Sequence, residues 1–131
     1  MLLLDTCVCI DYFRKDQSST SDFSGKINLA EARTSTIVLS ELLAVANKSA
    51  RPERQTAIID RFIETVHVIP FDDNAARHYG DIRAELEKSG VSIGPLDLLI
   101  AAHARSLGAT LITSNAKEFR RVKGLKLLAW K

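Results

Sequence analysis

Leu2-Leu3-Leu4-Asp5-Thr6-Cys7-Val8 opens the chain after its first methionine: three consecutive leucines closed by a carboxylate. So short an apolar run, with no polar face, reads as a strand buried on both sides, as in a parallel sheet. A helix is expected from Val8 to Arg14, which leaves Asp5 at the carboxyl end of the first strand. Burying a carboxylate among apolar neighbours is costly unless a hydrogen-bond network or a metal ion offsets the lost hydration.

The same alternation continues along the chain. Ala32–Thr36 is a short β-like piece, and Val38, Leu42, Val45 and Ala46 recur at helical spacing between Ile37 and Lys48. Pro52 suits the first turn of another helix, with Ile58, Ile59, Phe62 and Ile63 on its apolar face. Val66–Phe71 reads as a strand, and Asp72 or Asp73 caps a helix whose stripe is Ala75, Tyr79, Ile82 and Leu86 and whose end is Gly90. Gly94-Pro95 opens a helix that Gly108 closes, and Thr110–Thr113 and Leu125–Trp130 are the last strands. The polar segment 16–25 reads as a surface loop. Strands alternating with helices predict an α/β protein with a mainly parallel sheet covered on both faces.

At 131 residues the chain is the size of one domain, here spanning 1–131, and no apolar run approaches the length of a bilayer span. No secretory signal pattern is visible, so the cytoplasm is the expected location. Cys7 and Cys9 read as reduced, buried thiols; no CxxC pair or histidine cluster accompanies them, which argues against structural zinc. A net charge of +2 does not announce a nucleic-acid partner. Two basic groups, Arg120, Arg121, Lys123, Lys126 and Lys131 and then Lys48, Arg51 and Arg54, are each read as a solvated surface, or together as a rim suited to a polyanion. His67, His78 and His103 share no spacing and are read as structural or surface residues. Neither a GxGxxG nor a Walker motif is present, which argues against a bound dinucleotide or ATP.

Sites in parallel sheets form beyond the carboxyl ends of the strands. Asp5 ends the first strand, and Ser114-Asn115-Ala116-Lys117-Glu118 follows the Thr110–Thr113 strand. Pro95 places Asp97 in the first turn of its helix, and Glu41 lies early in its own. Convergence of Asp5, Glu41, Asp97 and Glu118 would make an acidic pocket for a hard divalent cation, Mg²⁺ or Mn²⁺. Asp5 and Asp97 are assigned as primary metal ligands, and Glu41 completes the shell directly or through water. Glu118 or Asn115 holds a second ion or orients the attacking water. Such a centre suits phosphodiester hydrolysis. Each acid also has a plainer single role: Asp5 as a helix cap, Asp97 as a first-turn carboxylate, Glu118 in a surface ion pair. In a self-repelling cluster at least one carboxyl should have a raised pKa.

Several stretches bear a resemblance. Leu3-Leu4-Asp5-Thr6-Cys7-Val8 resembles the opening of PIN-domain ribonucleases, most closely the VapC toxins of bacterial toxin–antitoxin pairs. Ser40-Glu41-Leu42-Leu43 resembles the family's second acidic motif, Ile93 to Ala104 its third, and Leu111 to Phe119 its fourth. The resemblance implies a three-layer PIN-like sandwich with a five-stranded sheet, and Mg²⁺- or Mn²⁺-dependent endoribonuclease activity on tRNA or ribosomal RNA. It also implies a homodimer, and a VapB-type antitoxin that blocks the pocket and through which alone DNA is contacted. Asp5, Glu41, Asp97 and Glu118 carry over as site residues. Cys7 departs from the family's usual Asn or Ser, and Asn115 stands where some PIN domains have an acid. Two other readings compete: a non-catalytic RNA-binding module of the same fold, and an aspartate-nucleophile phosphatase. The second would need an Asp where Cys7 stands.

Overall fold

Five strands run parallel in the order β3-β2-β1-β4-β5: β1 (Leu2–Leu4), β2 (Ala32–Ser35), β3 (His67–Ile69), β4 (Thr110–Thr113) and β5 (Lys126–Ala129). The computed structural model describes residues 1–15 and 27–130, so the expected 16–25 loop and Lys131 lie outside the described residues. The helices are α1 (Thr6–Lys15), α2 (Thr36–Asn47), α3 (Pro52–Thr65), α4 (Asp73–Lys88), α5 (Pro95–Ser106) and α6 (Ala116–Phe119), with a short 3₁₀ turn at Leu29–Glu31. Every strand pair is parallel, a stricter arrangement than the mainly parallel sheet expected.

The apolar runs explain which strands are central. Leu3 and Leu4 of β1 and Leu111 and Ile112 of β4 are fully buried, because both faces of these strands are covered. The chain steps from β1 to β2 to β3 and returns past β1 to β4, with α4 and α5 in the returning connection. α1 packs on α2, α2 on α3 and α4 on α5, and both α1 and α5 reach β4.

Element ends follow local chemistry. Asp72, not Asp73, caps α4 by accepting from the Ala75 N–H at 2.9 Å. Gly90 and Gly108 take φ of +71° and +63° just beyond α4 and α5, a conformation that favours glycine. β3 is shorter than the expected Val66–Phe71 and stops before Pro70, which has no N–H to donate to a ladder. α1 begins two residues before Val8, and this alters the cysteine reading. In a helix, residues two apart diverge by roughly 200°, so Cys9 is buried in the core whereas Cys7 is exposed.

The order of strand addition reverses at β1, since β2 and β4 flank it on either side. The Asp5 N–H donates to the Ile112 carbonyl at 3.1 Å and extends the β1–β4 ladder one residue past β1. The carboxyl ends of β1 and β4 therefore border the crevice at the topological switch point, where ligands bind in such sheets.

Candidate active site

Asp5 enters this crevice as the residue that starts α1. It is only 3% exposed, and its Oδ1 accepts from the Val8 N–H at 3.0 Å. The capping role and the pocket position thus belong to one side chain. The Thr113 hydroxyl, at the end of β4, also bonds to the Asp5 carboxylate and accepts from the Asn115 N–H at 2.9 Å. These bonds favour the charged form, yet burial outweighs them and, with the charge of Glu41, raises the Asp5 pKa.

Glu41, on the second turn of α2, is half-buried and accepts from the Thr6 hydroxyl at 2.6 Å. α2 is placed by Ser35, which ends β2 and accepts from the Ile37 N–H at 3.0 Å. The same Ser35 hydroxyl meets His103 Nδ1 of α5 at 2.7 Å. His103 is fully buried against Phe71, ring edge to face.

Asp97 stands in the first turn of α5, after the N-cap Gly94. Its carboxyl is pushed up to about 6, first by burial, then by the charges of Glu118, Asp5 and Glu41 in that order. Glu118 accepts from the Gly94 N–H at 2.9 Å through Oε1 and from the Asn115 amide at 2.6 Å through Oε2. Asp97 Oδ2 and Glu118 Oε1 lie over one backbone position, since a Cβ on Gly94 would stand 3.6 Å from the first and 3.9 Å from the second. Cys7, beside Asp5 and against the Ser114 side chain, has its thiol pKa raised by burial and by the Asp5 charge. It therefore stays a neutral thiol and adds no further anion.

The structure thus brings Asp5, Glu41, Asp97, Glu118 and Asn115 to one rim. Among the described residues no three of these side chains stand at the spacing of a closed cation cage. Carboxylate oxygens at a half-buried, mutually repelling site are the donor chemistry a hard divalent cation takes. The C-terminal basic group divides: Arg121 donates to the Ser92 carbonyl at 2.8 Å, two residues before Gly94, whereas two lysines lie elsewhere. Lys126 starts β5 at the far end of the sheet, its Nζ 3.5 Å from the Gly108 carbonyl, and Lys123 pairs with Glu85 at 3.0 Å. Glu118 bonds to Gly94 and Asn115 in place of the expected surface ion pair. Sequence reasoning missed Thr6, Thr113 and Gly94 as residues that hold the acids. Thr6 and Thr113 directly follow or end the two central strands, which was the available signal.

Fold and site define an α/β protein with an acidic pocket at its switch point. The PIN domain family model matches residues 2–125. The tRNA(fMet)-specific endonuclease VapC of Shigella flexneri is 40% identical over 130 residues, covering 98% of this chain and 96% of its own. Ribonuclease VapC2 of Rickettsia felis is 38% identical over 131 residues, with coverage of 98% and 96%. The crystal structure of DNA-bound VapBC from Salmonella typhimurium includes a chain that superposes with a TM-score of 0.90 at 37% identity, covering 99% of this chain and 98% of that one. The chain belongs to the PIN-domain family, among its VapC ribonucleases.

Proposed function

We propose that this protein is a Mg²⁺-dependent endoribonuclease, with Mn²⁺ as a substitute, acting as the toxin of a type II toxin–antitoxin pair. One observation carries the reading: Asp5, Glu41, Asp97 and Glu118, from distant parts of the chain, converge at one rim, with Asp97 and Glu118 over the same backbone position. Such an arrangement costs stability unless a cation neutralises it. The names of the relatives from Shigella flexneri and Salmonella typhimurium favour tRNA over ribosomal RNA as the substrate class. The VapBC neighbours favour a VapB-type antitoxin as partner, with DNA contacted only through it. The protein acts in the cytoplasm as a homodimer. Among the described residues no helix is long and apolar enough to cross a membrane, in keeping with that location.

Asp5 and Asp97 would hold the cation, with Glu41 completing the shell directly or through water. A bound Mg²⁺ or Mn²⁺ supplies charge neutralisation for the phosphate and a lowered pKa for coordinated water. Asp5 is kept rigid by the Val8 N–H and the Thr113 hydroxyl, so its oxygens need no reordering when substrate arrives. Thr6 engages Oε1 of Glu41, leaving Oε2 to accept a proton from water. Asn115 and Glu118 close the β4 side of the pocket.

The test is incubation of purified protein with total tRNA, in Mn²⁺ or EDTA, beside Asp5→Asn and Asp97→Asn. Cleavage that requires Mn²⁺ and disappears in both variants is the expected result. Cleavage undiminished by EDTA, or retained in both variants, overturns the reading. RNA bound but left intact by the parent protein points to a binding module, and hydrolysis of a small phosphate ester with RNA untouched to a phosphatase.

A further inference from the structure

Resting on the cation reading of the pocket, we propose that Glu118 is a positioning residue: it satisfies the N-cap N–H of α5 and so keeps the Asp97 carboxylate available to the cation. The N-cap of α5 is Gly94, which has no side chain, and the first helical residue is Pro95, which has no N–H. Asp97 is the third residue of the helix. In a capping box an acid at this third position folds back onto the N-cap N–H and is consumed there. Asp97 is turned toward the same residue, its Oδ2 standing 3.6 Å from where a Cβ on Gly94 would be. Glu118 fills that role from 24 residues away, with Oε1 2.9 Å from the Gly94 nitrogen.

The second oxygen of Glu118 is committed as well. Asn115 donates its amide to Oε2 at 2.6 Å, and the Asn115 N–H is itself anchored on Thr113. The β4–α6 segment is thereby stapled to the start of α5, and Thr113 carries the connection on to Asp5. An amide suits position 115 because an acid there would face the Glu118 carboxylate. Glu118 thus orients a ligand through the backbone, each of its oxygens being held by one protein donor.

The experiment compares the parent protein with Glu118→Gln, Glu118→Ala and Asp97→Asn by amide hydrogen exchange at Gly94, Mn²⁺ affinity and melting of the metal-free protein. Glutamine keeps an acceptor for Gly94, and the Asn115 amide can turn its oxygen to the new NH₂. Loss of a residue that orients a metal ligand typically weakens metal affinity by about 10–100-fold. Glu118→Ala is therefore expected to weaken Mn²⁺ binding by about tenfold or more, to speed Gly94 exchange by a similar factor and to lower the metal-free melting point. Glu118→Gln should stay within about threefold of the parent in both exchange and affinity. If Glu118 were instead a cation ligand, Glu118→Gln would lose Mn²⁺ affinity as severely as Glu118→Ala while keeping Gly94 exchange near that of the parent. That pattern overturns the proposal. Should Glu118→Ala fail to fold, Asn115→Ala removes one anchor of Glu118 and must speed Gly94 exchange in the same way. A parent protein that binds no Mn²⁺, or an Asp97→Asn variant that binds it undiminished, refutes the cation reading instead, while Gly94 exchange still decides the clamp.

Discussion

The Thr6 hydroxyl donates to Glu41 Oε1 across 2.6 Å and joins the first residue of α1 to the second turn of α2. The bond orients a half-buried carboxylate, and its acceptor is charged, which places its worth at about 1.5–3 kcal/mol. Thr6→Val, which keeps the shape and removes the donor, is expected to slow single-turnover RNA cleavage about tenfold. Thr6→Ser should recover most of the rate. An unchanged rate in the valine variant would show that Glu41 is oriented without this contact.

Asp5 combines two duties that substitutions can separate. Asn at this position still accepts from the Val8 N–H but cannot supply a negative charge. Asp5→Asn should therefore fold and lose at least about a hundredfold in cleavage rate. Asp5→Ala loses the cap in addition, and chemical denaturation should find it less stable than Asp5→Asn by about 1 kcal/mol.

The Asp97 carboxyl, raised to about 6, makes metal-free stability depend on pH. The folded state binds the proton more tightly than the unfolded chain, so this contribution is present at acid pH and is lost as pH rises through about 6. Asp97→Asn should accordingly stabilise the metal-free protein at pH 7. After discounting for the half-exposed setting, the gain is about 1–2 kcal/mol. Equal stability of parent and variant at pH 7 in EDTA would contradict the charge repulsion.

His103 works in the opposite direction. Ser35 Oγ accepts from the Ile37 N–H and lies 2.7 Å from His103 Nδ1, inside the core. Burial lowers the His103 pKa, so its contribution to stability is present above the ordinary value of about 6.5 and is lost as pH falls. In the parent protein Asp97 and Asp5, whose carboxyls are both raised, act in the opposite direction to His103. In the Asp5→Asn, Asp97→Asn double variant both raised carboxyls are gone, and the melting temperature should fall as pH is lowered from about 6.5 to about 5. Adding His103→Gln to that variant should flatten the slope.

Chelation offers a separate check. A cation that binds only the folded chain raises its melting temperature with metal concentration. Mn²⁺ should do so for the parent protein and not for the Asp5→Asn, Asp97→Asn double variant.

Much of the fold was legible because its signals are local. Three leucines before Asp5, the helical stripe of Ala75, Tyr79, Ile82 and Leu86, and the glycines at 90 and 108 each act over a turn or a strand length. The pocket could be located for a related reason: an acid directly after a strand lies on the carboxyl rim whatever the rest of the chain does. Two expectations failed where only three-dimensional placement could decide. Lys126 looked suited to the pocket by its charge, yet parallel pairing of Thr110 with Lys126 puts it at the opposite end of the sheet. Cys7 looked buried as part of an extended segment, but Asp5 caps α1 early and turns the thiol outward.

Read alone, the chain dictates the strand and helix alternation, the caps and the identity of the acids, because these depend on side-chain type and neighbours along the backbone. The folded molecule decides which donor holds which acid. Thr6 meets Glu41 across 35 residues, Gly94 meets Glu118 across 24, and Ser35 meets His103 across 68. A hydrogen bond demands its partner within about 3 Å and in line, and spacing along a chain carries no information at that resolution until the sheet has brought the ends of β1 and β4 together.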